Sequence, residues 1–181
     1  MSLKSNTPIR TFFLLIFILP VVGCTTKVVV VPVGIPTDHG MVNEFKGGSP
    51  LEIVNAQLDN NEVIICRWGQ IRYYGVMHDW TQSVIIQLQK ELSQREINIV
   101  PLANKKLSLW VENAEIFPDS QVGSGRIYCR LKLKVESGVG NVSVFEGNHS
   151  AGSLDIAVGG AVTSAVAALL RDPSLLEYIT K

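Results

Sequence analysis

Histidine and cysteine are scarce in this chain, three of each in 181 residues. No histidine has a second His or Cys at metal-ligand spacing. The Gly-x-Ser-x-Gly turn that exposes a nucleophilic serine is missing. Gly123-Ser124-Gly125-Arg126 has the glycines of a phosphate loop but lacks the Gly-Lys-Ser/Thr ending and the helix after it. It precedes a strand pattern, so it reads as a hairpin turn. No excess of basic residues exists either: 16 Lys and Arg stand against 16 Asp and Glu. That balance argues against a nucleic-acid partner, which calls for clustered positive charge, and against a polybasic stretch for anionic lipid. No period of 20–50 residues recurs, which excludes a repeat architecture. The uncharged apolar run at residues 11–22 is well short of the roughly 20 residues that a membrane-spanning helix needs.

That short run is nevertheless the most informative stretch. Lys4 and Arg10 precede it and Gly23-Cys24 closes it. A positive start, a short apolar middle and a small residue before the cut describe a secretory signal. Val21-Val22-Gly23-Cys24 resembles the lipobox of bacterial lipoproteins, whose cysteine becomes the acylated first residue of the mature protein. The resemblance implies a signal peptide at residues 1–23, lipidation of Cys24 and membrane attachment through that lipid. Under the common sorting rule an Asp after the cysteine retains a lipoprotein at the inner membrane. Thr25 therefore implies the outer membrane, with the domain facing the periplasm.

Without residues 1–23 the chain keeps 158 residues, with 14 basic against 16 acidic. That length suits one domain with a real core. An exported chain sits where disulfides persist, so Cys66 and Cys129 read either as a bridged pair or as two buried thiols that pack as small apolar residues.

Residues 24–50 read as the lipidated N-terminus and an extended tether. Pro32 and Pro36 demote its valine run from any central strand, Gly40, Gly47, Gly48 and Pro50 punctuate the rest, and His39 lies within it. Residues 28–33 also suit an edge strand, added to this fold or to a partner. Residues 51–181 read as an α+β domain. Segments 51–56 and 63–71 are expected to form a hairpin around Asp59-Asn60-Asn61. A helix over 79–96 is expected, capped by Asp79 with Gln82 completing a capping box, and burying Trp80, Val84, Leu88 and Leu92. Strands are expected at 97–100, 106–117, 126–136 and 142–146. The apolar phase flips inside 106–117, which predicts a bulge near Glu112 or Asn113. Between 126 and 136 the alternation is clean, with Ile127, Cys129, Leu131, Leu133 and Val135 facing the core. Ser153 caps a helix to about residue 170, whose Gly160, Ser164 and Ala168 allow another backbone to approach closely. Asp172-Pro173 opens a last helix. Helices on one face of a largely antiparallel sheet make a two-layer α+β sandwich.

Few residues suggest contacts. Trp68, Tyr73, Tyr74 and Trp80 fall within thirteen residues, lining a groove for an apolar ligand or partner or else packing in the core. Trp110 shares parity with Ser108 and Glu112 on the wet face, a candidate contact. Arg126, Arg130, Lys132 and Lys134 form a basic row, read in preference as protection against edge-to-edge aggregation over an anionic partner's site. His78-Asp79 is read as capping and solvation in preference to an acid–base pair, and His149 is placed in a loop. No catalytic residue, metal ligand or cofactor is expected.

Gln87-Leu88-Gln89-Lys90-Glu91-Leu92 with Arg95, the strands at 107–114 and 125–134, Ala161-Val162-Thr163-Ser164, and Leu-Leu-Arg-Asp-Pro-Ser from Leu169 together resemble the YajG-type bacterial lipoproteins. That resemblance implies a non-catalytic envelope lipoprotein with no catalytic residues to carry over. The element order is also similar to the PqiC-like auxiliary lipoproteins of envelope lipid transport, a fold-level likeness alone. The expected role is binding another envelope component, a protein partner. Handling of lipid or an apolar ligand through the Trp68–Trp80 region is the alternative. An enzyme would need His78 or Asp79 to line a cleft.

Overall fold

The computed structural model describes residues 25–36, 45–118 and 125–181. The signal segment, Cys24, His39, Gly40 and the Gly123-Ser124 turn lie outside the described residues. In chain order the elements are β1 (Thr26–Val29), β2 (Leu51–Asn55), β3 (Glu62–Trp68), β4 (Ile71–Val76), α1 (Met77–Gln94), β5 (Lys105–Pro118), β6 (Ile127–Ser137), β7 (Val142–Ala151), α2 (Leu154–Leu169) and α3 (Pro173–Thr180). They build an α+β fold with a three-stranded sheet, β1-β4-β3, and a four-stranded sheet, β2-β5-β6-β7. Both N-terminal edge strands pair in parallel, β1 with β4 and β2 with β5, and the other pairings are antiparallel. Helices α1 and α2 pack on one face of the larger sheet.

Strand periodicity accounts for that sheet. Cys129, Leu131, Leu133 and Val135 of β6 are buried beneath the helices, while Arg130 and Lys132 between them are exposed. The predicted bulge is present: the β5–β6 register shifts between Val111 and Asn113. A bulge disrupts the ladder and can leave a backbone donor without its strand partner. Here the N–H of Val111 donates to the buried hydroxyl of Thr81 at 2.9 Å, and that hydroxyl donates to the carbonyl of Met77 at 2.9 Å. A helix side chain thus satisfies the donor beside the bulge.

The two C-terminal helices start where their caps place them. Ser153 Oγ accepts from the N–H of Ile156, and Asp172 Oδ1 accepts from the N–H of Leu175 at 2.8 Å, with Pro173 at the first helical position. The small-residue stripe of α2 faces β7. Ser164 Oγ accepts from the N–H of Asn148, and a Cβ on Gly160 would run into the ring of His149. His149 therefore lies on β7, not in a loop.

Several expectations are corrected. Segments 51–56 and 63–71 do not form a hairpin, because β2 belongs to the other sheet. The run 63–71 instead breaks at Gly69, whose φ of 58° suits a tight two-residue turn, and β3 pairs with β4 through Trp68 and Ile71. Asp59 still makes its turn, accepting from the N–H of Asn61 at 2.8 Å. Helix α1 starts two residues before Asp79, with no side-chain cap at Val76. Asp79 sits instead in the first turn, where a carboxylate favours the helix dipole. Asn55 fastens this helix start by donating to the carbonyl of His78 at 3.0 Å and to Gln82 Oε1 at 3.4 Å. Segment 97–100 contributes a single bridge, Ile99 to Leu51.

The expected tether is also revised over its described residues. Thr26–Val29 is the edge strand of the small sheet, and residues 30–36 run on between α1 and α2. Ser83 Oγ donates to the carbonyl of Pro32 at 2.6 Å, and Thr163 Oγ1 donates to the carbonyl of Ile35 at 2.8 Å. Val30 is buried. Proline bars a strand by lacking a donor, but this path uses carbonyls as acceptors, so the prolines cost it nothing.

Candidate functional site

The aromatic residues expected to line one groove are dispersed. Successive strand residues face opposite ways, so Tyr73 packs against the core while Tyr74 looks outward beneath Lys27, whose Nζ lies 5.1 Å from the ring centroid. Trp80 is fully buried with its indole nitrogen against Gly75 of β4, and its Nε1 has no hydrogen-bond partner among the described residues. Trp68 remains 44% exposed at the end of the β3–β4 hairpin. The groove is not formed.

Trp110 does lie on the face of the four-stranded sheet turned away from α1 and α2. Lys134, its cross-strand neighbour, holds Nζ 5.0 Å from the ring centroid, and Val144 continues the row on β7. Further along the same face Phe117 and Tyr128 pair across the strands with ring centroids 4.7 Å apart. Three of the four cations here are engaged locally, Lys134 over Trp110, Lys132 with Glu112 at 3.3 Å and Arg126 donating to the carbonyl of Ser150 at 2.7 Å, while Arg130 is exposed and makes no hydrogen bond or ion pair among the described residues. What the face offers a partner is therefore two aromatic sites with the exposed Arg130 between them. Stiff, half-buried rings bring large contact area at low entropic cost, which is why aromatics dominate interface energetics.

Two clefts flank residues 30–36. One of about 210 Å³ lies against α2 and is lined by Val30, Val31, Val33, Ile35, Ile156 and Val158. The other, about 230 Å³, lies against α1 beside Pro32, Ser83 and Ile86. Sequence reasoning missed both because they need this segment to be part of the fold. In the sequence residues 28–33 are apolar throughout, so the alternation of a buried Val30 and Pro32 with an exposed Val31 and Val33 left no periodic signal to find.

His78 bridges two elements: Nδ1 donates to the carbonyl of Gln57 at 2.7 Å. Cys66 and Cys129 are free and buried on strands of different sheets, so the candidate disulfide is not present. Burial raises both thiols, Cys129 up to about 12. A thiol reacts as its thiolate, so a disulfide-exchange reagent at neutral pH is expected to label Cys129 only after denaturant unfolds the chain. Fast labelling of Cys129 in the native protein contradicts this. The same shift sets a pH dependence. The protonated thiol is favoured in the fold, so its contribution is full below the ordinary 9.0 and is lost as pH rises towards about 12.

Among the described residues no helix alone is long and apolar enough to cross a membrane, and no group of three His, Cys, Asp or Glu could hold a metal ion. Compared with known proteins, the chain matches no protein-family model and no curated protein.

Proposed function

We propose that this chain is a lipid-anchored, non-catalytic bacterial envelope lipoprotein of YajG-like type, held by a lipid on Cys24 at the periplasmic side of the outer membrane. It binds another envelope protein there. The anchor is supported by Val21-Val22-Gly23-Cys24. The binding role is carried by one observation: the face of β2-β5-β6-β7 turned away from α1 and α2 presents Trp110 and the Phe117–Tyr128 pair, with Arg130 exposed between them. Binding through such a face needs no reacting group. Lipid handling is the second reading, and the 210 Å³ cleft bears on it. Sites that enclose a small molecule usually measure about 300–1,000 Å³, so this cleft is small for a phospholipid.

A photo-crosslinking side chain placed at Trp110 in cells is expected to give one discrete adduct with an envelope protein. The same group at buried Val111 is expected to give none, and Cys24→Ala is expected to abolish the adduct by releasing the chain from its membrane. Adducts mainly with phospholipid, or none above background, would sink the protein-partner reading.

A further inference from the structure

The small sheet assembles at its hairpin end what no stretch of the sequence contains. Register puts Thr26, Ile71 and Trp68 in the last row before the Gly69–Gln70 turn, and the next row is Lys27, Arg72 and Arg67. Three cations from three strands therefore stand side by side. Like charges directly opposite each other destabilise a sheet. Only Lys27 has an acidic partner, Glu62; the exposed side chains of Arg67 and Arg72 make no hydrogen bond or ion pair among the described residues. Trp68, at the tip, is 44% exposed. Cations behind an exposed tryptophan form the pattern found where proteins meet a lipid headgroup layer. The start of the chain adds a third element. The N–H of Thr26 donates to the carbonyl of Gln70 at 3.0 Å, so Thr26 sits at this same tip. Two residues of chain span at most about 7 Å, so a lipid on Cys24 ties down this end of the domain.

We propose that the hairpin end of β1-β4-β3 docks on the membrane. Arg67 and Arg72 face the phosphates of anionic phospholipids, Lys27 stays engaged with Glu62 and the Tyr74 ring, and Trp68 enters the headgroup layer. This rests on the anchored reading above and deepens it by fixing which end of the domain meets the lipid. The domain then stands on its small sheet, and the Trp110 face is left for a protein partner.

The test uses the full chain purified from its own membranes and reconstituted in two kinds of vesicle: phosphatidylglycerol mixed with acyl-brominated phosphatidylcholine, and the brominated phosphatidylcholine alone. Intact mass first reads whether Cys24 carries acyl chains. Trp68→Phe isolates the emission of Trp68 from that of Trp80 and Trp110. Quenching of Trp68 is expected in the anionic vesicles and is expected to weaken with salt. The double variant Arg67→Gln/Arg72→Gln is expected to lower the docked-to-undocked ratio roughly thirtyfold, at about fivefold for each cation near an anionic surface. Both arginines are exposed, and unchanged circular dichroism checks the fold. Trp68 quenching that is absent, equal in the two vesicles, or unaffected by the double variant overturns the proposal. If the mass shows no acyl chain, the anchor reading fails separately. Salt-sensitive co-sedimentation of that same protein with the anionic vesicles then supports docking, and its absence overturns it.

Discussion

Gly147→Ala is expected to lower the stability of the domain by about 3 kcal/mol or more. Gly147 sits on β7 opposite Leu131, under α2. A Cβ there would lie 2.6 Å from Ala165 N and closer still to the carbonyl oxygen of Ala161. Both are backbone atoms of a helix whose Ala157, Ala161, Val162 and Ala165 are fully buried, so no side chain can swing aside and the whole helix must lift. Overpacking a core costs about 1–3 kcal/mol where side chains adjust, and more where they cannot. Urea unfolding of the full chain measures it, with Gly152→Ala as the control, since a Cβ on Gly152 meets nothing within 4 Å. Equal stability for the two variants refutes the close approach of α2 to β7. Gly160→Ala is expected to cost less. The atoms its Cβ meets belong to the side chain of His149, and His149→Ala should return part of the loss.

Trp80 is expected to separate two properties that usually travel together. Trp80→Ala removes the largest fully buried side chain of the core, at a cost of about 3–5 kcal/mol. For a chain of this length that is a fall in Tm of roughly 10 °C. Trp80→Phe is expected to stay within about 1 kcal/mol of the parent. The indole N–H is buried without an acceptor among the described residues, and an unmet donor of that kind costs about 1–3 kcal/mol. Phenylalanine keeps most of the apolar bulk and removes the donor, so a lost volume and a lost penalty offset each other. Thermal unfolding of both variants reads the difference directly. A Phe variant as unstable as the Ala variant shows that the indole N–H is satisfied in solution.

How far the chain disclosed its fold depended on how local each signal was. The alternation of β6, the Ser153 and Asp172 caps and the bulge beside Glu112 are each written within a few residues, and each appears in the structure. Partner choice was not legible. Nothing near Leu51 says that β2 will lie parallel to β5, more than fifty residues on, when an Asx turn just after it suggests a hairpin. Gly69 was a stronger punctuation than it looked, because strand-forming residues stand on both sides of it, Ile64, Ile65 and Trp68 before and Ile71, Tyr73 and Tyr74 after. The candidate site behaved likewise. Trp110 was placed on its face by parity alone, whereas separating Tyr73, Tyr74 and Trp80 required knowing that β4 ends and α1 begins at Met77. In the cation row Arg67 and Arg72 are close in sequence, but Lys27 joins them from about forty residues away, beyond any reading of neighbouring charges.

The parallel pairing of β1 also decides how the domain resists being pulled. Tension applied to its N-terminal end along the axis of β1 slides it lengthwise past β4. All four registered pairs, from Thr26–Ile71 to Val29–Tyr74, are then strained together, instead of parting one by one as they would if the strand were peeled sideways. A short strand loaded in that direction holds like a lap joint, not like a zip.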